Sequence, residues 1–154
     1  MKAEYLNVIL TSTINVIKQW MGKDFVLAQK SLKHTPITTK PLTVVVGVNG
    51  DLSGNVFISF EAGTAKKLAS SMAGGFVFEE IDELCKSAIG EIGNVIMGNI
   101  CTAFAEKGKK IDITPPVLVE GENIKLGTKY SPLVSLDLKS VNNEEITLDI
   151  SLSD

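Results

Sequence analysis

Two polar side chains three residues apart, Glu91 and Asn94, stand in a run otherwise built from small and apolar residues, Ser87-Ala88-Ile89-Gly90-Glu91-Ile92-Gly93-Asn94-Val95-Ile96-Met97-Gly98. On a helix, residues spaced i and i+3 project together. A carboxylate can pair with a lysine or accept a proton, and a carboxamide offers a donor and an acceptor at once, which suits orienting a water for attack. At ~100° per residue with Ser87 at zero, Glu91 falls at ~40°, Asn94 at ~−20°, Gly98 at ~20° and Glu83 at ~−40°. Cys85, Ile89, Ile92, Ile96, Ile100 and Ala103 gather on the opposite side, so the run reads as an amphipathic helix with a narrow polar stripe facing out. That stripe is oddly built for solubility alone, because its residues are small or short. Gly90, Gly93 and Gly98 each cost about 1 kcal/mol relative to alanine in a helix interior. Close approach of another backbone or of a partner protein would account for them. Packing within the chain is the competing account, and it fits Gly93 best, since that residue lies off the polar stripe.

The helix bearing this stripe is predicted to run from about Glu79 to Lys107, closed by Gly108. A first helix is marked by Leu6, Ile9, Leu10, Thr13, Val16, Ile17, Trp20 and Met21 at helical spacing, with Gly22 as its stop. Residues 25–40 look extended, broken by Pro36 and Pro41. Leu42–Val48 and Asn55–Phe60 are β-branched runs either side of a hairpin segment, Asn49–Gly54, that allows a loop longer than two residues. Ala65, Leu68, Ala69 and Met72 share one face of a short helix over Thr64–Ala73. After the long helix, Ile111-Asp112-Ile113 begins a strand that meets Pro115-Pro116 and resumes through Val119, and Ile124–Leu126 is a short strand candidate. Val134, Leu136 and Leu138, then Ile146, Leu148, Ile150 and Leu152, alternate with polar residues, which predicts a half-buried antiparallel hairpin. The expected fold is α/β of the α+β type: one domain over residues 1–154, with helices packed on a largely antiparallel sheet. Residues 10–17 of the first helix echo residues 89–96 of the long one, which raises an internal duplication. The echo keeps an asparagine, Asn15, but has Ser12 where Glu91 stands, so no second functional face is expected.

The 154-residue chain is 44% hydrophobic and 21% charged, with a formal net charge of −3. That composition excludes collagen-like, disordered and disulfide-rich classes, and the slight acidity argues against nucleic acid as a partner. No apolar run approaches the ~18 residues of a membrane span, and Glu4, Asn7, Thr11 and Asn15 interrupt any signal-peptide core. A cytoplasmic location is therefore expected. Cys85 and Cys101 lie ~24 Å apart on one helix, too far to bridge, and are expected as small core residues. His34 is the sole histidine, which excludes Ser-His-Asp, Cys-His and multi-histidine metal sites. The glycine-rich segments Gly47–Gly54 and Gly63–Lys67 lack the phosphate-loop pattern. Glu79, Glu80, Asp82 and Glu83 fit the first turns of a helix, where they offset its dipole. Asp112 is expected to serve the turn before Pro115-Pro116.

Taken together, Asp82-Glu83-Leu84-Cys85-Lys86-Ser87-Ala88-Ile89-Gly90-Glu91-Ile92-Gly93-Asn94, followed by Asp112-Ile113-Thr114-Pro115-Pro116, resembles the active helix and downstream segment of the CheC/CheX family of chemotaxis phosphatases. The Gly50–Gly54 hairpin and the Ala69–Gly75 segment match the CheX branch, and the resemblance covers roughly residues 3–152. It implies a phosphatase that removes the aspartyl phosphate of a phosphorylated CheY-type response regulator. The Glu and Asn of this helix are the family's functional pair, carried here by Glu91 and Asn94. The Asn orients the attacking water, the Glu engages a lysine of the regulator, and the regulator supplies the Mg²⁺, so no metal or cofactor of the chain's own is expected. Ser87 belongs to the motif, and Gly90 and Gly98 would let the partner approach closely. The CheX branch also implies a homodimer built by continuing one sheet across two chains, with the C-terminal or middle strands as candidates. A non-catalytic adaptor for a response regulator or flagellar switch component is the alternative function. A purely structural dimerisation domain and a stand-alone small-molecule hydrolase are further possibilities.

Overall fold

Gly22, at φ +65°, ends the first helix in the left-handed conformation and donates its N–H to the Lys18 carbonyl, a glycine role at helix C-termini. The computed structural model describes residues 1–154. It contains α1 (Ala3–Met21), β1 (Phe25–Lys33), β2 (Ile37–Thr38), β3 (Leu42–Gly50), β4 (Ser53–Phe60), α2 (Ala62–Met72), α3 (Glu83–Glu106), β5 (Ile111–Ile113), β6 (Val117–Glu120), β7 (Lys125–Leu126), β8 (Leu133–Ser140) and β9 (Glu145–Ser153). A seven-stranded sheet runs β1-β8-β9-β4-β3-β5, with β6 also on β3, and every pairing is antiparallel. β2 and β7 form a separate two-stranded ribbon. This is the expected class of three helices on a mostly antiparallel sheet.

The helices share one face of the sheet and a single main core. Leu42, Val44, Val46 and Val48 of β3 meet Val56, Ile58 and Phe60 of β4 and Ile146, Leu148, Ile150 and Leu152 of β9 beneath α1 and α3. Tyr5 and Phe104 join α1 to α3 edge to face, with ring centroids 5.5 Å apart. Trp20, placed on the apolar face of α1 by its spacing, is exposed.

Two expectations need correction. The long helix starts at Glu83, not Glu79, because Asp82 is extended and its carboxylate accepts from the Cys85 N–H at 2.9 Å, which makes it the N-cap. Glu79 and Glu80 therefore lie outside the helix, in a segment anchored by Phe78 against Ala69 and Cys85, and only Asp82 and Glu83 offset the dipole. The second strand of the C-terminal hairpin is not half-buried: Ile146 through Leu152 are all buried, while β8 keeps Asp137 half-buried and Lys139 exposed. β9 lies between β8 and β4, and chain from the β2–β7 region covers the sheet's second face. Ile37, Phe57 and Leu133 cluster there, and Ser151 both donates to the Tyr130 carbonyl and accepts from the Tyr130 N–H. Several polar residues on this face are paired, although the buried Ser135 hydroxyl has no partner. Thr43 and Ser59 hydroxyls meet at 3.0 Å, Thr147 donates to Asp137 at 2.7 Å, and Lys33 lies 3.2 Å from Asp149.

This order places the long middle and C-terminal strands, β3, β4, β8 and β9, inside the sheet. Each of them has hydrogen-bonded neighbours on both sides, whereas the sheet's edges are β1, which pairs only with β8, and the short β5 and β6, which pair only with β3.

α3 sits directly on β3 because Gly93 is buried there. A Cβ at that position would stand 2.7 Å from Cγ1 and 3.3 Å from Cβ of Val44, a fully buried residue with no room to retreat. Gly93→Ala is expected to destabilise the fold by about 1–3 kcal/mol, overpacking outweighing alanine's better helix propensity; urea unfolding measures it, and equal or greater stability would contradict this seating.

Candidate functional site

α3 is long and apolar enough by length and composition to reach across a membrane. Its apolar side, however, is committed to the core: Cys85, Ile89, Ile92, Ile96, Met97, Ile100 and Phe104 are buried. That commitment turns Ser87, Glu91 and Asn94 outward, and all three are exposed. The Asp82 cap fixes one end of the helix. At the other end the Lys109 N–H returns to the Phe104 carbonyl at 2.9 Å around Gly108, at φ +77°. Near its start, Lys86 reaches Glu83 at 2.7 Å and Glu120 of β6 at 3.5 Å, tying the helix to the sheet edge. Its hydrogen bond with Glu83, and after that the nearby Glu120 charge, hold the Lys86 ammonium above the ordinary lysine pKa.

Along the outward stripe the polar groups divide in two. Asn99 and Thr102 turn back on the helix, donating to the Val95 and Gly98 carbonyls. Ser87, Glu91 and Asn94 have no such internal partner, so their donors and acceptors point at whatever lies outside. Beside Glu91 and Asn94 is an open groove of about 440 Å³, lined by Gly90, Glu91 and Asn94 on one side and by Ile113, Thr114, Pro115 and Pro116 on the other; Ser87 and Gly98 do not line it.

The three helix glycines do different things. Gly93 faces the sheet. At Gly90 an added Cβ would lie 3.6 Å from Leu118, an ordinary contact, and at Gly98 it would meet nothing within 4 Å. Packing within the chain therefore accounts for Gly93 and leaves Gly98 unexplained by the chain itself.

The groove's second wall was legible only as a motif. Nothing in the spacing of Ile113-Thr114-Pro115-Pro116 says that it stands across from Asn94; that follows from β5 and β6 both pairing with β3 next to α3. Asp112 does not line the groove. It pairs in register with Asn49 and lies near enough to Cys101 that, after burial, its charge helps push that thiol up. Burial, then Asp82, raises the Cys85 thiol likewise. Both cysteines are free and sit among core contacts, so neither is the reactive group of this face. His34 is exposed beyond the end of β1. No three His, Cys, Asp or Glu side chains converge anywhere in the structure. The face thus offers an amide, a carboxylate and a hydroxyl, but no nucleophile with an adjacent base.

The family model for the chemotaxis phosphatase CheX matches residues 42–139 of the chain. The chain belongs to the CheX family. Its match to the CheY-P phosphatase CheX of Thermotoga maritima runs at 31% identity over 153 residues, 99% of this chain and 97% of that protein. Among solved structures, a CheC-like superfamily protein from a Shewanella species superposes with a TM-score of 0.89 at 22% identity, covering the whole of both chains. A chain from the CheX–CheY–BeF3–Mg²⁺ complex of Borrelia burgdorferi superposes at 0.82 with 24% identity, covering 99% of this chain and 100% of that one. These two likenesses bear on the fold, which they share with this CheX-family chain from end to end.

The open environment of Gly98 yields a test. Gly98→Ala is expected to stabilise the isolated chain by about 1 kcal/mol through helix propensity alone, the opposite sign to Gly93→Ala; a loss of stability in urea unfolding would show that Gly98 packs against its own chain.

Proposed function

We propose that this chain hydrolyses the aspartyl phosphate of a phosphorylated CheY-type response regulator. Asn94 orients the attacking water, Glu91 engages a lysine of the regulator, and Ser87, Gly90 and Gly98 form the surface against which the regulator seats. The observation that carries this reading is the exposed, internally unpartnered Glu91–Asn94 pair on a stripe of small residues, with room beside it for another protein's loop. Family membership, the name of the Thermotoga relative and the CheX–CheY complex from Borrelia support it.

The chemistry suits so spare a site. An acyl phosphate is already activated, so an enzyme gains most by placing one water in line with the bond to be broken, and an amide that both donates and accepts can hold that water in one orientation. Mg²⁺ held by the regulator would neutralise charge on the phosphoryl oxygens. The chain's own share is positioning. Glu91 sits one turn before Asn94 on the same face, where pairing with a lysine would set the register of the two proteins before the amide is presented.

The decisive measurement is phosphate release from a CheY-type receiver domain kept phosphorylated by acetyl phosphate. Asn94→Ala is expected to lower the accelerated rate about a hundredfold or more with an unchanged circular dichroism spectrum. Full activity in that variant would remove Asn94 from the chemistry. Binding to the phosphorylated receiver without any acceleration by the wild-type chain would make it an adaptor instead. Glu91→Lys is expected to raise the receiver concentration needed for half-maximal rate about tenfold, and an unchanged value would exclude the lysine contact.

The working unit is a homodimer in the cytoplasm, joined through β1. Support for this comes from the strand itself. It is a nine-residue edge with one neighbour, and Val26 and Leu32 are 64% and 66% exposed on it. A long edge with exposed apolar side chains is a template for another strand. Light scattering is expected to give twice the 16.5 kDa chain mass and to fall to one chain mass for the double variant Val26→Lys, Leu32→Lys; a monomeric wild type at micromolar concentration would exclude the assembly.

A further inference from the structure

The wall opposite Asn94 is a short link, held at both ends by strand pairing and between those ends by one residue. On one side of it Val48 faces Ile113, and on the other Val45 faces Val117. Between these fixed pairs β3 has two residues, Val46 and Gly47, while the facing chain has three, Thr114, Pro115 and Pro116. The extra residue makes a β-bulge, a device that re-aims a strand locally. Neither proline has an N–H, so neither can donate to β3. Thr114 supplies the bonding. Its N–H donates to the Gly47 carbonyl at 2.9 Å, and its hydroxyl accepts from the Gly47 N–H at 2.8 Å. Gly47 makes the clamp possible by lacking a side chain, since a Cβ there would stand 2.9 Å from Cγ2 and 3.2 Å from Oγ1 of Thr114.

We propose that Thr114 is a positioning residue for the phosphatase reaction: through its clamp on Gly47 it sets where the Pro115-Pro116 wall stands, and so where the regulator's phosphorylated loop comes to rest before Asn94. This rests on the function proposed above. The groove is open and has only two walls. One of them, α3, is fixed by the Gly93 seat and both caps. The other is a bulge anchored at its ends by β5 and β6 and set between them by two bonds from Thr114. Losing the hydroxyl leaves the Gly47 N–H without its partner and, between the flanking strand pairs, only the Thr114 backbone bond to hold the link. A displacement of about 1 Å at a positioning element can cost up to a hundredfold in rate.

The test uses the full chain and a CheY-type receiver phosphorylated by acetyl phosphate, with phosphate release measured at saturating receiver. Thr114→Val keeps the shape and removes the hydroxyl; it is expected to lower the saturated rate about tenfold while the chain stays folded at the assay temperature. Thr114→Ser keeps the acceptor and is expected to stay within about twofold of wild type, a rescue that loss of packing alone would not give. Gly47→Ala leaves the hydroxyl in place but displaces it, and is expected to fall with Thr114→Val. Should Thr114→Val fail to fold, Gly47→Ala against Thr114→Ser decides the matter. Wild-type rates in the folded Thr114→Val or Gly47→Ala chain, with Asn94→Ala inactive, would overturn the positioning role and leave the phosphatase reading standing. Full activity of Asn94→Ala would remove both.

Discussion

The contact on which the rest depends is the approach of α3 to β3 through Gly93. With no side chain between them, the helix lies on Val44 itself, and helix–sheet distance, helix rotation and the outward direction of Glu91 and Asn94 are settled together. A larger residue would lift the helix and widen the gap to β5 and β6, whose link forms the opposite wall. One buried glycine thus sets the width of a groove that it does not line. Its cost in helix propensity, about 1 kcal/mol, is offset by the close packing of Ile89, Ile92, Ile96 and Ile100 into the main core.

Around that contact the site shows a division of labour between rigid and spare parts. α3 is capped at both ends and tied to β6 by Lys86. The groups it presents are few and have short, simple side chains. This is consistent with chemistry in which the reacting phosphoryl group, the metal and the energy of the scissile bond all come with the partner. Serine and asparagine on a held helix also have less side-chain freedom to lose when the partner docks than the longer Glu91 has.

Much of this was legible in the sequence, and the misses have physical causes. The polar stripe, the apolar side of α3 and the distinction between Gly93 and the other two helix glycines follow from a 3.6-residue period, which reports faces directly. The start of α3 does not, because four acidic residues within five positions all suit a helix N-terminus, and only the Asp82 bond to the Cys85 N–H selects among them. The alternation in β9 predicted an open face, since periodicity separates two sides of a strand but cannot say that another part of the chain will cover the polar one. The groove's second wall was harder still. It is a contact between residues 67 positions apart, Gly47 and Thr114, and local pattern carries nothing about such a pairing.

The two prolines of the bulge have an effect on the far side of the molecule's architecture from catalysis. They sit where the sheet would otherwise end in a row of free donors, between a three-residue strand and a four-residue one. Short strands, a bulge and missing N–H groups blunt a β-edge against further pairing. The β5–β6 edge is therefore the blunter of the two, while β1, interrupted once between Leu27 and Gln29, keeps the longer run of unpaired backbone and is the more receptive. If two copies join through the receptive edge, both outer ends of the combined sheet are blunt. Growth then stops at a closed pair related by a twofold axis, not an open-ended fibre.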